Sequence, residues 1–484
     1  MLLSTLLRPL GIKEGFTDTD ITDIAYDSRK AVPGCAFVCL KGSASDGHKF
    51  AGKAAESGAA VIIAQAPVEV KTAQVILAPD TKKALALMSS AFFGEPAKGA
   101  IRVIGITGTK GKTTTAYMTR ALLEAAGHKT GVMGTIGADF DGNIEPLVNT
   151  TPICHEVFRQ LRRMADAGCE YAVMEVSSIA LREHRVYGLP FEVGVFTNFS
   201  EDHIGGVEHK DMEEYLQCKA LLFSMCKTGV VNADDPATEK LLESSTCEVY
   251  RFSMEGRGDM NGDNCRHLNQ PGILGVEFDI SGDLELSPKV GIPGRFNAYN
   301  ALAAVSCCHK LGVPKEALLE GLRGVKVKGR VEPVAVPGNY TLLLDYAHNA
   351  VSMESLLSTL REYEPKRLIC LFGAGGNRPK VRRYEMGEAS GRLADLSVIT
   401  ADNSRFEDVL DIIEDIKIGM NKTDGKYIEI PDRREAIRWC IEHAQDGDII
   451  VLAGKGSEDY QEIKGVRYPF DERVVIREIL DSLK

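Results

Sequence analysis

The chain has 484 residues, 44% of them hydrophobic and 26% charged, with 57 basic against 68 acidic residues and a formal net charge of −11. That balance fits a folded protein of about three domains at roughly 150 residues each and excludes wholesale disorder. An acidic chain is a poor match for a polyanion, so no nucleic-acid partner is expected, while a local basic pocket for a small phosphorylated ligand is compatible with it.

The opening MLLSTLLRPLGIKEG is briefly apolar but has no basic start or small-residue cleavage site, so it is not read as a signal peptide. Over residues 1–98, short apolar runs alternate with helical patterns. Ala36–Leu40 and Ala60–Ala64 are predicted strands, Thr81–Phe93 a helix, and Gly94-Glu95-Pro96 a linker. Ile101–Ile106 is a β-branched run that enters a glycine-rich turn, and Lys112–Ala126 has helical spacing with Gly127 as its stop. Tyr171–Val176 and Val193–Thr197 are further buried strands with polar residues after them, and residues 247–292 form a stretch richer in alternation, Gly and Asp. After Gly329-Arg330-Val331-Glu332-Pro333, strands are predicted at Thr341–Tyr346, Arg367–Phe372, Leu396–Thr400, Tyr427–Ile430 and Asp448–Leu452, with amphipathic helices between most of them. The fold class is therefore α/β with parallel sheets, whose ligands sit at the carboxyl ends of strands. The expected domains are 1–98, 99–332 and 333–484. The twelve cysteines form no CxxC pair and no apolar run is long enough to span a bilayer, so reduced thiols, a cytoplasmic location and no membrane contact are expected.

The most informative segment is Gly105-Ile106-Thr107-Gly108-Thr109-Lys110-Gly111-Lys112-Thr113-Thr114-Thr115. Glycines let several backbone N–H groups turn toward phosphate oxygens, and the following helix aims its positive end at the same place. Lys112 offers a mobile charge to the β- and γ-phosphates, and the Thr113 hydroxyl can ligate Mg²⁺. The spacing departs from G-x-x-x-x-G-K-[ST], because Ile106 stands where the first glycine belongs. The alternative is a glycine-rich turn that holds no ligand.

Two strand ends carry further chemistry. Glu175 closes one strand and offers the oxygen that a hard Mg²⁺ prefers. Asp202-His203 follow another, and chemistry alone leaves His203 equally a metal ligand and a structural hydrogen-bonding residue. Lys219, in a helical segment, reads on periodicity alone as a solvated surface lysine.

The segments TGTKGKTTT, MEVSS, TNFSEDH, PGRFNAYNALAA, KGRVEP, DYAHNA and GKGSEDYQ, in this order, resemble those of the Mur ligases of peptidoglycan precursor synthesis. AYDSRKAVPGCAFVCLKGSASDGHKF resembles the UDP-binding domain of the branch that adds the third amino acid, the UDP-N-acetylmuramoyl-tripeptide synthetases. The resemblance covers essentially the whole chain. It implies a UDP-binding domain, a central ATPase-like domain and a C-terminal Rossmann-like domain. It also implies ATP as substrate, Mg²⁺ as cofactor, and a monomer that joins an amino acid to UDP-MurNAc-L-Ala-D-Glu through an acyl phosphate.

Residue by residue, the resemblance implies that Gly108, Thr109, Lys110, Gly111, Lys112, Thr113 and Thr114 hold ATP phosphates. Thr113, Glu175, His203 and a carbamylated Lys219 would hold the metal, and Lys112, Lys219 and His203 would act in catalysis. Asn297 and Asn300 would approach adenine, Arg330 would reach ATP from a hinge, Asp345 would contact ribose, and His348 and Asn349 would lie beside the nucleotide. For the UDP-peptide it implies Ser28, Asp46, Gly47, His48, Thr150, Thr151, Ser177, Glu183 and Arg185; ordinary turn chemistry is the alternative for these loop residues. For the incoming amino acid it implies Arg378, Asp402, Asn403, Arg405, Gly454 and Glu458.

Three departures stand out. Glu183 replaces a frequent Gln and would repel the D-Glu carboxylate unless paired. The segment Ile204–His209 is two residues longer than the family pattern. The specificity motif, commonly Asp-Asn-Pro-Arg, is Asp402-Asn403-Ser404-Arg405, and loss of Pro frees the backbone before the arginine. A guanidinium suits a second carboxylate and disfavours a bare ammonium tail, so meso-diaminopimelate is expected before L-lysine. Arg405 as a surface ion-pair residue is the alternative. Two other functions are weighed: a folylpolyglutamate-synthetase-like ligase, against which the N-terminal Asp-Ser-Arg and Asp-Gly-His segments argue, and a nucleotide-dependent binding paralogue that has lost turnover.

Overall fold

A computed structural model describes all residues except 43, 44, 202, 203, 206, 207, 271, 272 and 484, and not the side chains of 270 and 273. The chain forms two compact units, one of residues 1–261 with 303–317, the other of 262–302 with 318–484.

The first unit begins with α1 (Leu3–Leu7), β1 (Ile24–Ala25), β2 (Ala36–Val38), α2 (Ala51–Glu56), β3 (Val61–Ala64), β4 (Gln74–Leu77) and α3 (Thr81–Phe92). The strands make a four-stranded parallel sheet in the order β1-β2-β3-β4. Its strands are shorter than their apolar runs predicted, because Leu40 turns into the loop closed by Gly47 N–H on the Leu40 carbonyl at 2.8 Å. A Cβ on Gly47 would meet the Leu40 nitrogen at 2.7 Å, so this turn requires glycine.

β5 (Arg102–Thr107), α4 (Lys112–Ala125), β6 (Thr130–Met133), β7 (Ala138–Phe140), β8 (Asn143–Glu145), α5 (Cys154–Asp166), β9 (Tyr171–Glu175), α6 (Ser178–Arg182), β10 (Phe191–Phe196), α7 (Met212–Ala220), β11 (Cys226–Asn232), α8 (Thr238–Leu242) and β12 (Glu248–Ser253) follow. Parallel strands run in the order β12-β11-β10-β5-β9-β6, with β7 and β8 added antiparallel. β5 lies between β10 and β9, which run on opposite sides of it; its carboxyl end is thus a switch point of the sheet, the usual ligand crevice of such folds. Register puts Ile106 opposite Glu175 and Thr107 opposite Phe196. Val103, Met174, Phe158, Leu161, Phe191 and Phe196 are buried in one core that fixes these strands against α5 and α3.

β13 (Met260–Gln270), β14 (Ile273–Gly282), β15 (Lys289–Val290), α9 (Arg295–Lys310) and α10 (Lys315–Gly324) come next. The second unit then continues with β16 (Glu332–Val334), β17 (Thr341–Asp345), α11 (Ala350–Arg361), β18 (Arg367–Phe372), α12 (Val381–Leu393), β19 (Leu396–Ile399), α13 (Val409–Met420), β20 (Tyr427–Glu429), α14 (Arg433–Glu442), β21 (Asp448–Ala453), β22 (Tyr460–Ile463), β23 (Val466–Pro469) and α15 (Glu472–Ser482). Its sheet order is β16-β17-β21-β18-β19-β20, parallel apart from β16. Leu342, Leu344, Ile369, Leu371, Val398, Ile450 and Leu452 form the core face against Ile437, Ile476 and Ile479 of α14 and α15. No described helix is long and apolar enough to cross a membrane.

Candidate active site

In the first unit the strand ends converge on the phosphate loop. Gly108 and Gly111 adopt φ of +151° and +83°, and a Cβ on Gly108 would lie 1.9 Å from the Thr197 hydroxyl, so the loop closes on the end of β10 with no room for a side chain. Thr197 donates to the Lys110 carbonyl at 2.7 Å, and Asn198 brackets the same peptide, accepting from Lys110 N–H at 2.9 Å and donating to its carbonyl at 3.1 Å. Lys112 folds its ammonium over the loop onto the Gly108 and Thr109 carbonyls at 2.9 and 3.0 Å. The Thr113 hydroxyl donates to Glu175 at 2.9 Å, and Glu175 also accepts from Thr135 N–H at 2.8 Å.

Lys219 corrects the expectation from helical periodicity. Its side chain is buried, donates to the Gly108 carbonyl at 2.9 Å, and sits 4.3 Å from the centre of the Tyr215 ring. A lysine is not held in such a place as a solubilising residue, because burying its ammonium is unfavourable without partners. Tyr215 in turn donates to the Thr109 hydroxyl at 3.3 Å. His203 and Asp202 lie outside the described residues; the neighbouring His209 is buried, 2.8 Å from the Ser178 hydroxyl.

This donor set fits a hard cation at Thr113 and Glu175, both oxygen ligands. Lys219 fits only as a carbamate, since an ammonium has no lone pair to offer.

The residues implied for the UDP-peptide fall in two groups. Thr150, Thr151, Ser177 and Arg185 gather around the end of β9: Thr151 donates to the Glu175 carbonyl at 2.8 Å and accepts from Ser177 N–H at 3.0 Å, Arg185 donates to the Thr151 carbonyl at 2.8 Å, and the Thr150 and Thr135 hydroxyls are 3.1 Å apart. Glu183 is paired with Lys82 of α3. Burial pushes its carboxyl up, but the Lys82 ammonium outweighs that and holds it below the ordinary range, so the repulsion expected of an unpaired carboxylate does not arise. In the N-terminal sheet Ser28 is buried in a short turn. Asp46 accepts from His48 Nδ1 at 2.6 Å while His48 Nε2 accepts from Gln65 N–H at 3.0 Å. Both ring nitrogens of His48 therefore shape the loop.

In the second unit, the residues implied for the amino acid line one cavity of about 130 Å³ at the carboxyl ends of β18, β19 and β21: Arg378, Asp402, Asn403, Arg405, Gly454 and Glu458, joined by His348. Arg405 adopts a left-handed backbone, φ +53°, which costs a non-glycine residue about 1–3 kcal/mol. That conformation is secured by Arg405 N–H on the Glu462 carbonyl at 2.9 Å and by its guanidinium on the Gly376 carbonyl at 2.7 Å. A Cβ on Gly376 would lie 1.9 Å from the Ser404 carbonyl, so the backbone before the arginine is pinned although proline is absent.

Lys455, which sequence reasoning passed over inside GKGSEDYQ, is fully buried and reaches Asp402 at 3.3 Å, Asn403 at 3.2 Å and Glu458 at 3.4 Å. Burial pushes Asp402 up, but Lys455 and Arg433 outweigh it and hold the carboxyl low; Glu458, on the rim, stays raised by burial despite Lys455. The cavity lining thus combines guanidinium groups with two carboxylates.

The residues implied for the nucleotide in this unit are engaged in local structure. Asp345 accepts from Val331 N–H at 2.8 Å and Ala347 N–H at 2.7 Å, one bond on each carboxylate oxygen. Asn349 caps α11, accepting from Ser352 N–H at 2.9 Å. His348 Nδ1 is 2.7 Å from the Tyr346 carbonyl, and burial lowers its pKa. The Arg330 guanidinium lies 5.0 Å from the Tyr346 ring centre. On α9, Asn297 donates to the Pro293 carbonyl at 2.7 Å and Asn300 to Asn297 at 2.9 Å.

Comparison with known proteins agrees along the chain. Residues 20–93 match the Mur ligase family catalytic domain, 106–308 the Mur ligase middle domain, and 329–456 the Mur ligase glutamate ligase domain. The chain is 41% identical over 494 residues to a UDP-N-acetylmuramoyl-L-alanyl-D-glutamate–2,6-diaminopimelate ligase of Clostridium perfringens, covering 100% of both chains. It is also 41% identical to the ligase of the same name from Clostridium botulinum, again over 100% of each. A solved structure of a ligase of that name superposes with a TM-score of 0.74 at 28% identity, covering 100% of this chain and 99% of the other. On these matches along its whole length, the chain belongs to the Mur ligase family of ATP-dependent ligases.

Proposed function

We propose that this protein adds meso-diaminopimelate to UDP-MurNAc-L-Ala-D-Glu at the expense of ATP, in the cytoplasm, with three domains divided near 98/99 and 332/333. The observation that carries the choice of amino acid is the second-unit cavity, whose lining includes both the basic Arg378 and Arg405 and the acidic Asp402 and Glu458. The distal end of diaminopimelate bears one carboxylate and one ammonium. Arg405 offers a two-point contact to the carboxylate, and Asp402 with Glu458 accepts the ammonium. L-Lysine leaves the guanidinium without an anion and places its ammonium in the same cavity.

The chemistry follows from charge. A carboxylate does not react with an amine at neutral pH, because its oxygen is a poor leaving group. Transfer of the γ-phosphoryl group of ATP to the D-Glu carboxylate makes an acyl phosphate. The amine attacks its carbonyl carbon, and the tetrahedral intermediate expels phosphate to leave the amide. The first step brings two anions together, so positioning and neutralisation carry most of the work. Lys112, the N–H groups of the 108–114 loop and the start of α4 supply positive potential to the phosphates. Mg²⁺, held by Thr113, Glu175 and a carbamylated Lys219, with His203 from outside the described residues, supplies further neutralisation when bound. Thr150, Thr151, Ser177 and Arg185 orient the peptide, and Ser28 with the 46–48 loop receives the uridine end.

The deciding experiment is an amino-acid panel at equal concentration, scored by amide formation with UDP-MurNAc-L-Ala-D-Glu and ATP. Diaminopimelate should lead. Preference for L-lysine would overturn the reading of Arg405, and amide formation with none would favour a lapsed binding paralogue. Lys219→Ala should lose activity and regain part of it when short carboxylic acids are added to the phosphate-release assay; a variant with undiminished activity would remove Lys219 from the site.

A further inference from the structure

We propose that Arg433 is a positioning residue for the incoming amino acid, tying together from behind the cavity two strand ends that the sheet itself does not join. The inference rests on the amino-acid site proposed above. β19 and β21 are not neighbours, since β18 lies between them, so no ladder hydrogen bond connects their ends. Arg433 spans that gap. Its Nη1 donates to the Ala401 carbonyl at 3.1 Å and its Nη2 to the Ala453 carbonyl at 3.0 Å. Ala401 is followed by Asp402-Asn403 and Ala453 by Gly454, all of which line the cavity, and the next residue, the buried Lys455, reaches Asp402, Asn403 and Glu458.

The placement is otherwise hard to account for. Arg433 opens α14, where a cation opposes the helix dipole. Its side chain is 0% exposed and pairs with the equally buried Glu472 at 2.8 Å. Glu472 Oε2 has no hydrogen-bond partner among the described residues. A buried pair of this kind is weak evidence for stability, because apolar residues of similar volume commonly serve as well. What apolar residues cannot do is hold two separated carbonyls with one rigid fork. From Arg433 the charges alternate toward the cavity: Glu472, Arg433, Asp402, Lys455, Glu458. The sequence of signs leaves one negative charge in excess, and Glu458 on the rim is where the chain of charges meets the cavity.

The test compares Arg433→Lys and the double variant Arg433→Met/Glu472→Leu with the wild-type enzyme, using the amino acid that the wild type accepts. Melting temperature and the KM values for amino acid and ATP are measured. The double variant removes the buried pair as a unit; it should still unfold cooperatively, at a temperature lowered by the loss of the donors to the Ala401 and Ala453 carbonyls, and show a KM for the amino acid raised tenfold or more, with the KM for ATP within twofold. Arg433→Lys keeps the charge and loses the fork; it should raise the amino-acid KM at least threefold with the same selectivity. A double variant that regains both melting temperature and amino-acid KM makes Arg433 merely structural and overturns the proposal. Should it fail to fold, Arg433→Lys decides alone: equal changes in both KM values overturn it, a selective change supports it. A wild type that forms no amide with any amino acid overturns the ligase reading itself, and this inference with it.

Discussion

Lys112→Ala is expected to reduce turnover roughly 10²–10³-fold, about 3–4 kcal/mol of transition-state stabilisation, while leaving the fold intact. The lysine donates to the Gly108 and Thr109 carbonyls, and the loop is also held by Thr197 and Asn198. Removing it should therefore lower the melting temperature by no more than a few degrees. The loss should appear as slower phosphate release in the presence of UDP-MurNAc-dipeptide and diaminopimelate, with the amino-acid KM little changed. Arg at 112 should not restore the rate, because its planar head cannot replace a compact ammonium folded over a tight turn. A Lys112→Ala enzyme that releases phosphate within tenfold of the wild-type rate would sink the assignment.

Arg405→Ala is expected to raise the KM for diaminopimelate roughly 30–100-fold, about 2–3 kcal/mol, with the KM for ATP unchanged. The selectivity follows from where the side chain points: into the second-unit cavity, next to the Gly376 carbonyl and Glu462. The substitution also strands the carboxylate of the substrate against Glu458, so part of the loss is repulsion no longer offset. Steady-state kinetics with each substrate varied in turn checks this. Equal increases for diaminopimelate and ATP would show that Arg405 supports the fold and does not choose the amino acid.

Much of the fold was legible because its signals are local. β5, β9, β10 and β18 are β-branched or apolar runs of strand length, and Gly127 at φ +87° ends α4 where its position implied. The phosphate loop was legible despite its altered first glycine, because Gly108, Gly111 and Lys112 keep the turn and the helix start. Residues whose roles depend on distant strand ends were not legible. Lys219 follows a helical period that says nothing about the Gly108 carbonyl far along the chain. Thr135 and Asn198 are small polar loop residues until β6 and β10 bring them to the site. Lys455 sat inside a quoted motif beside Glu458, but its burial also depends on Asp402 and Asn403 arriving from another segment. Arg433 looks like half of a surface Arg-Arg pair until α15 delivers Glu472. Asp345 and Asn349 also carry local roles that the sequence did not show, backbone anchoring and helix capping.

The contact of Gly108 with Thr197 has a consequence for anyone seeking compounds against this enzyme. Neither partner has slack: a methyl at 108 meets the hydroxyl at 197, and loss of that hydroxyl releases the Lys110 carbonyl. A molecule resting on the peptide groups of 108–111 would lean on atoms that no codon change removes, and escape at the two residues shaping them would dismantle the turn itself.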